Sequence, residues 1–72
     1  MEPQNLRTCR TDLRLTQSSL ARLSGVSRPR IVLYELGDRP ITEQEQGALR
    51  RALQLHAKIL AETAQRISLE LG

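Results

Sequence analysis

Thr16-Gln17-Ser18-Ser19-Leu20-Ala21-Arg22-Leu23-Ser24-Gly25-Val26-Ser27-Arg28-Pro29-Arg30-Ile31-Val32-Leu33-Tyr34-Glu35-Leu36-Gly37 is the stretch that decides the fold. Thr16 has the side chain of a helix N-cap, and Leu20, Ala21 and Leu23 give the helix after it an apolar stripe. Gly25 stands where a left-handed residue would end that helix. A further helix begins near Ser27 to Pro29 and runs through Ile31, Tyr34 and Glu35 to a second glycine stop, Gly37. Leu20, Ala21, Val26 and Ile31 are expected to form the wedge between the two helices, with Ala21 small because they approach closely. Only a few residues, among them Gly25, connect them, so the turn is tight and needs the positive φ that glycine supplies.

Upstream, Leu6, Cys9, Arg10 and Leu13 recur at helical spacing and predict a first helix that starts between Pro3 and Leu6 and ends near Arg14. Cys9 reads as a small core residue. Downstream, Gly37-Asp38-Arg39-Pro40 is a loop, and Thr42 with Glu45 forms a capping box. No proline follows, and Gly47 weakens a helix without forcing a break. Residues 43–70 are therefore expected to form one helix, about 42 Å long. The alternative is two helices with a bend near Gln54 to Ala57. The expectation is an all-α, single-domain chain. Thirteen leucines and six alanines against one aromatic residue, Tyr34, agree with it. In 72 residues only one marginal core can form.

Eleven basic and eight acidic residues leave a net charge of +3, distributed unevenly. Residues 7–30 hold six arginines and a single acid, Asp12, whereas residues 40–72 are neutral. A basic front and a neutral back suit a polyanion on one face. With one His, one Cys and no metal-ligand or phosphate-loop motif, no catalytic residue, metal or cofactor is expected. The longest apolar run is Ile31-Val32-Leu33, far short of the roughly 20 residues of a membrane span, and no secretory segment is apparent. A single cysteine fits the reducing cytoplasm. Two helices joined by a short glycine turn are the helix-turn-helix arrangement, whose second helix enters the major groove of double-stranded DNA.

Thr16-Gln17, Leu20-Ala21, Gly25-Val26-Ser27, Ile31, Glu35 and Gly37, extended upstream by Leu6, Cys9, Arg10 and Leu15, resemble the Cro/phage-repressor (XRE-like) family over roughly residues 5–53. The resemblance implies a phosphate-contacting role for Gln17, a structural pairing of Arg10 with Glu35, and dimeric binding to a two-fold operator. With Ile31 taken as inward, about 100° per residue turns Pro29, Leu33 and Leu36 outward, with Arg28 and Val32 on one flank and Arg30 and Tyr34 on the other. Arg28 and Arg30 can each reach guanine in a bidentate contact or grip phosphates, with Arg28 the preferred base reader. Ser27 either caps the helix or bonds a phosphate, capping being preferred. Thr16, Gln17, Ser27, Arg28, Pro29, Arg30, Leu33 and Arg39 make up the candidate DNA surface. Three departures stand out. Arg14 occupies a place where relatives often carry glycine. Pro29 replaces a polar base-reading side chain and suggests a helix start at Pro29 with Arg28 as cap. Val32, Leu33 and Leu36 are apolar, a patch suited to thymine methyls or to a protein.

Leu49, Leu53, His56, Leu60, Thr63 and Ile67 are spaced 4-3-4-3-4, a heptad-like seam. A second row, Ala48, Ala52, Leu55 and Ile59, widens the apolar face in the first half. That half is expected to pack on the front of the chain, leaving Leu53, His56, Leu60, Thr63 and Ile67 for a second copy. The alternative folds Leu60 to Leu71 back onto the core. His56 reads as an interface residue, neither metal ligand nor pH switch. The expected function is a dimeric transcriptional regulator, a repressor or autoregulator, on an inverted repeat. Two rivals are an antitoxin whose C-terminal helix binds a toxin, and a helical adaptor whose apolar patch binds protein without DNA.

Overall fold

The computed structural model describes all 72 residues, Met1–Gly72. It has four helices and no strand: α1 (Pro3–Asp12), α2 (Gln17–Ser24), α3 (Arg28–Glu35) and α4 (Glu43–Leu71). Each start has a local cause. Pro3 opens α1 at a position where its missing N–H costs nothing. The Thr16 hydroxyl accepts a hydrogen bond from the Ser19 N–H at the start of α2. Thr42 and Glu45 close a reciprocal capping box at the start of α4. Gly25 ends α2 at φ +80°, a conformation that is nearly free for glycine and strained for other residues.

The core joins residues from every helix: Leu6, Leu15, Leu20, Val26, Ile31, Tyr34, Leu49, Ala52 and Leu53. The expected wedge is in place, with Leu20 and Ile31 fully buried and Ala21 packed at the edge. Tyr34 is also buried, and its hydroxyl donates to the Met1 carbonyl, tying α3 to the beginning of the chain. Beyond Leu53 the chain leaves the core. α4 continues unbroken for 29 residues, giving a molecule 47 Å long and under 20 Å across. Neither a bend near Gln54 to Ala57 nor a fold-back of Leu60 to Leu71 occurs.

Several expectations are corrected. Cys9 is exposed, because Leu6 and Arg10 take the inward face of α1. Leu23 is half exposed, since α2 turns only Leu20 fully inward. α3 starts one residue early: Ser27 is the extended N-cap, Arg28 the first helical residue and Pro29 the second. The first helical bond, from the Ile31 N–H to the Ser27 carbonyl at 3.2 Å, sets that register. Proline fits there because the donors of a first helical turn have no partner within the helix in any case.

α1 ends at Asp12, short of Arg14. Arg14 is left at φ +60°, the only residue other than glycine with positive φ. This is the position at which the resemblance drawn from the sequence implies glycine. A side chain in that conformation costs about 1–2 kcal/mol, partly offset by the greater entropy glycine loses on folding. Arg14→Gly is expected to stabilise the fold by about 0.5–1 kcal/mol. A raised urea midpoint at unchanged slope would register the gain; a lowered midpoint would show that the turn is unstrained.

Candidate nucleic-acid interface

The beginning of α2 is the chemical centre of the basic front. Thr16 satisfies the Ser19 N–H, while the Gln17 and Ser18 N–H groups have no bond within the helix. Free donors at a helix N-terminus, reinforced by the helix dipole, suit a phosphate oxygen. They open onto a concavity of about 500 Å³ walled by Arg7 and Arg10 of α1, by Arg28, Val32 and Glu35 of α3 and by Leu36 just after it.

Glu35 organises this concavity. Its carboxylate accepts two hydrogen bonds from Arg10, Nε to Oε2 at 2.7 Å and Nη2 to Oε1 at 2.9 Å. A third comes from the Gln17 amide, Nε2 to Oε1 at 3.1 Å. Arg10 also donates to the Leu15 carbonyl at 2.8 Å, satisfying the turn after α1. The pair is nearly sealed, with 11% of the Arg10 side chain and 4% of that of Glu35 exposed. Its hydrogen bonds to Glu35 raise the pKa of Arg10 further, outweighing the effect of burial, so the guanidinium stays charged. The pairing ties α1 to α3, and the Gln17 bond adds α2. The sequence spacing held no sign of that third link.

Charge in the concavity follows from this arrangement. Arg10 is neutralised by Glu35, whereas the side chains of Arg7 and Arg28 make no ion pair. Two free cations therefore flank the donors of α2. Arg7 and Ser18 were absent from the candidate surface, because nothing in their local spacing separates them from other solvated polar residues. Val32 is half buried at the same wall. Pro29 and Leu33 of α3 are exposed beside it, as is Ser27, which holds the N-cap position but makes no side-chain cap bond, contrary to the capping role expected of its hydroxyl. Arg39 is exposed in the loop after α3.

Arg30 is a correction. Its guanidinium grips Glu45 of α4, with Nε to Oε2 at 2.7 Å, on a flank away from the concavity. The carboxyl of Glu45 is held at about 2 by the Arg30 hydrogen bonds and by the Thr42 N–H. The residue that caps α4 thus also anchors α3. Leu53 is the second correction: at 8% exposure it belongs to the core of its own chain, so the unpaired seam starts at the half-buried His56.

Two short helices locked around a glycine turn, with free backbone donors and unpaired arginines at one end, define a DNA-binding helix-turn-helix domain. A profile of the helix-turn-helix family matches residues 6–60. The chain belongs to that family, in its Cro/phage-repressor-like (XRE) form, and is a DNA-binding regulator of that type. Double-stranded DNA is the family's ligand, and its domain is regulatory and not typically enzymatic. No curated protein and no solved structure gives a significant match. No helix is long and apolar enough to cross a membrane.

Proposed function

We propose that the protein is a dimeric repressor that binds an inverted repeat, with α3 of each subunit in the major groove. The observation that carries this reading is the concavity at the start of α2, which the free N–H groups share with two unpaired arginines. A phosphate seated there meets the Gln17 and Ser18 N–H groups, the second amide hydrogen of Gln17, and Arg7. Thr16 supports the site as the cap of α2, and Arg39, exposed in the loop after α3, supplies a further contact to the backbone. With the phosphate fixed, Arg28, Ser27, Pro29 and Leu33 face the groove floor. Arg28 is the base reader, with its two-pronged guanidinium matched to guanine O6 and N7. The uncovered seam His56, Leu60, Thr63 and Ile67 supplies the dimer contact.

Phosphate and base contacts separate by mutation. Gln17→Ala should weaken binding to a preferred and a scrambled duplex alike, because phosphates carry no sequence information. Arg28→Ala should cost about 1–3 kcal/mol on the preferred duplex and little on the scrambled one. Titrating both variants on both duplexes at fixed salt is the measurement. Equal losses on the two duplexes for Arg28→Ala would make it a phosphate ligand and remove the base-reading role.

A further inference from the structure

Of the four polar side chains of α3, three are engaged within the fold. Glu35 is held by Arg10 and Gln17, Arg30 by Glu45, and the Tyr34 hydroxyl donates to the Met1 carbonyl. Only Arg28 makes no ion pair or side-chain hydrogen bond. The rest of the outward face is apolar. With the fully buried Ile31 as the inward direction, Val32, Leu36, Pro29 and Leu33 stand at about 100°, 140°, 160° and 200° around the axis. No polar residue of α3 falls between them. Leu33 is 38% exposed and Leu36 67%, so this surface is open. Residues four apart are neighbours on a helix, and two ridges result. Pro29–Leu33 is the outermost, and Val32–Leu36 lies between it and the arginine-lined concavity that Val32 and Leu36 help to wall.

We propose that the Pro29–Leu33 ridge, with Leu36 beside it, reads thymine C5-methyl groups, so that the preferred operator carries thymines near the guanine taken by Arg28. The inference rests on the reading that places α3 in the major groove and needs no dimer. The major-groove edges of guanine, cytosine and adenine offer hydrogen-bond donors and acceptors, and thymine adds the one apolar group, its C5-methyl. Leucine pressed on the N4 amine of cytosine or the N6 amine of adenine strips that donor of water and returns no bond. Pressed on a methyl, it removes apolar surface from water on both sides. An apolar reading face therefore discriminates, and it favours thymine. A protein partner fits less well. The patch is four side chains, against the roughly 20–30 residues a side of a standard protein–protein interface. It is also continuous with Arg28 and the free N–H groups of α2, which suit an anion. Leu33 lies about 7.5 Å along the axis from Arg28, close to two base-pair steps of about 3.4 Å. The thymines are expected within a few base pairs of the guanine.

Uracil tests this without altering the protein, since it is thymine lacking the C5-methyl and pairs with adenine in the same way. A duplex selected by wild-type protein from a random pool is resynthesised with deoxyuridine for every thymidine, and both forms are titrated at fixed salt. Wild-type affinity should fall roughly fourfold for each methyl contacted, and about tenfold or more where two are. A scrambled duplex should bind equally in its thymine and uracil forms. Leu33→Ser combined with Leu36→Ser, both at exposed positions, should keep native helicity and bind the two selected forms within about twofold of each other. A uracil loss that the double variant retains in full would place the methyl contact on another side chain and overturn the assignment. Equal wild-type affinity for both forms, with Arg28→Ala still costing more on the selected duplex than on the scrambled one, would overturn the methyl reading, leave α3 in the groove and assign the patch to a protein. Equal affinity for both forms together with equal Arg28→Ala losses on the two duplexes would overturn this inference and the placement of α3 alike.

Discussion

Arg10→Ala is expected to remove about 3 kcal/mol of folding stability, a large share of the total for a 72-residue chain. The loss comes from what stays behind. Glu35 is left in a nearly sealed site with only Gln17 to bond it, and the Leu15 carbonyl loses its donor. Leaving one buried charge uncompensated is far more damaging than deleting a pair. Arg10→Met combined with Glu35→Leu should accordingly fold better than either single variant. The same double variant should bind DNA less well than wild type, since Gln17 loses the bond that orients it. Urea unfolding of the three variants, with DNA titration of the double, checks both parts. Singles that add up to the loss in the double would mean that the two charges act independently.

Dimer geometry sets the second large effect. Leu60→Glu places a carboxylate at the centre of the proposed contact, about two turns of helix beyond Leu53, the last core residue of α4. Sedimentation should show a monomer with native helicity, and operator affinity should fall by about a hundredfold or more as two linked half-sites become independent. On the DNA side, two α3 helices in successive major grooves require half-site centres about 34 Å apart. Inserting about half a turn, roughly 5 base pairs, between half-sites should then weaken wild-type binding to the level of Leu60→Glu. Full affinity on the expanded site would show that the subunits bind DNA singly.

What the sequence reveals here is whatever depends on neighbours along the chain. The caps Thr16 and Thr42 and the stop Gly25 act within one helical turn, and all three are found where their side chains predict. Periodicity identifies an apolar face but not what covers it. Leu53 and Leu60 share one seam, yet the first is buried in its own chain and the second is exposed. Cys9 and Leu23 fail for a related reason: on short helices a single turn is enough for the core, and the next apolar residue is left outside. Among the residues lining the concavity, Gln17 and Arg28 are two that the motif itself singles out. The bonds of Gln17 to Glu35 and of Arg30 to Glu45 span 18 and 15 residues, and no local spacing encodes them.

The Arg30–Glu45 contact has a mechanical consequence. Glu45 sits at the root of α4 and also grips Arg30 of α3, so one carboxylate serves both the cap of α4 and a tie between α3 and α4. α4 acts as a lever. Over an arm of about 40 Å, a tilt of about 5° moves the far end by roughly 3.5 Å, close to one base-pair step. Substitutions at this joint are therefore expected to shift the distance between half-sites that the dimer prefers, even where affinity for a single half-site and the stability of the fold are unchanged. On the proposed dimer, the spacing of the operator would be tuned from a helix cap.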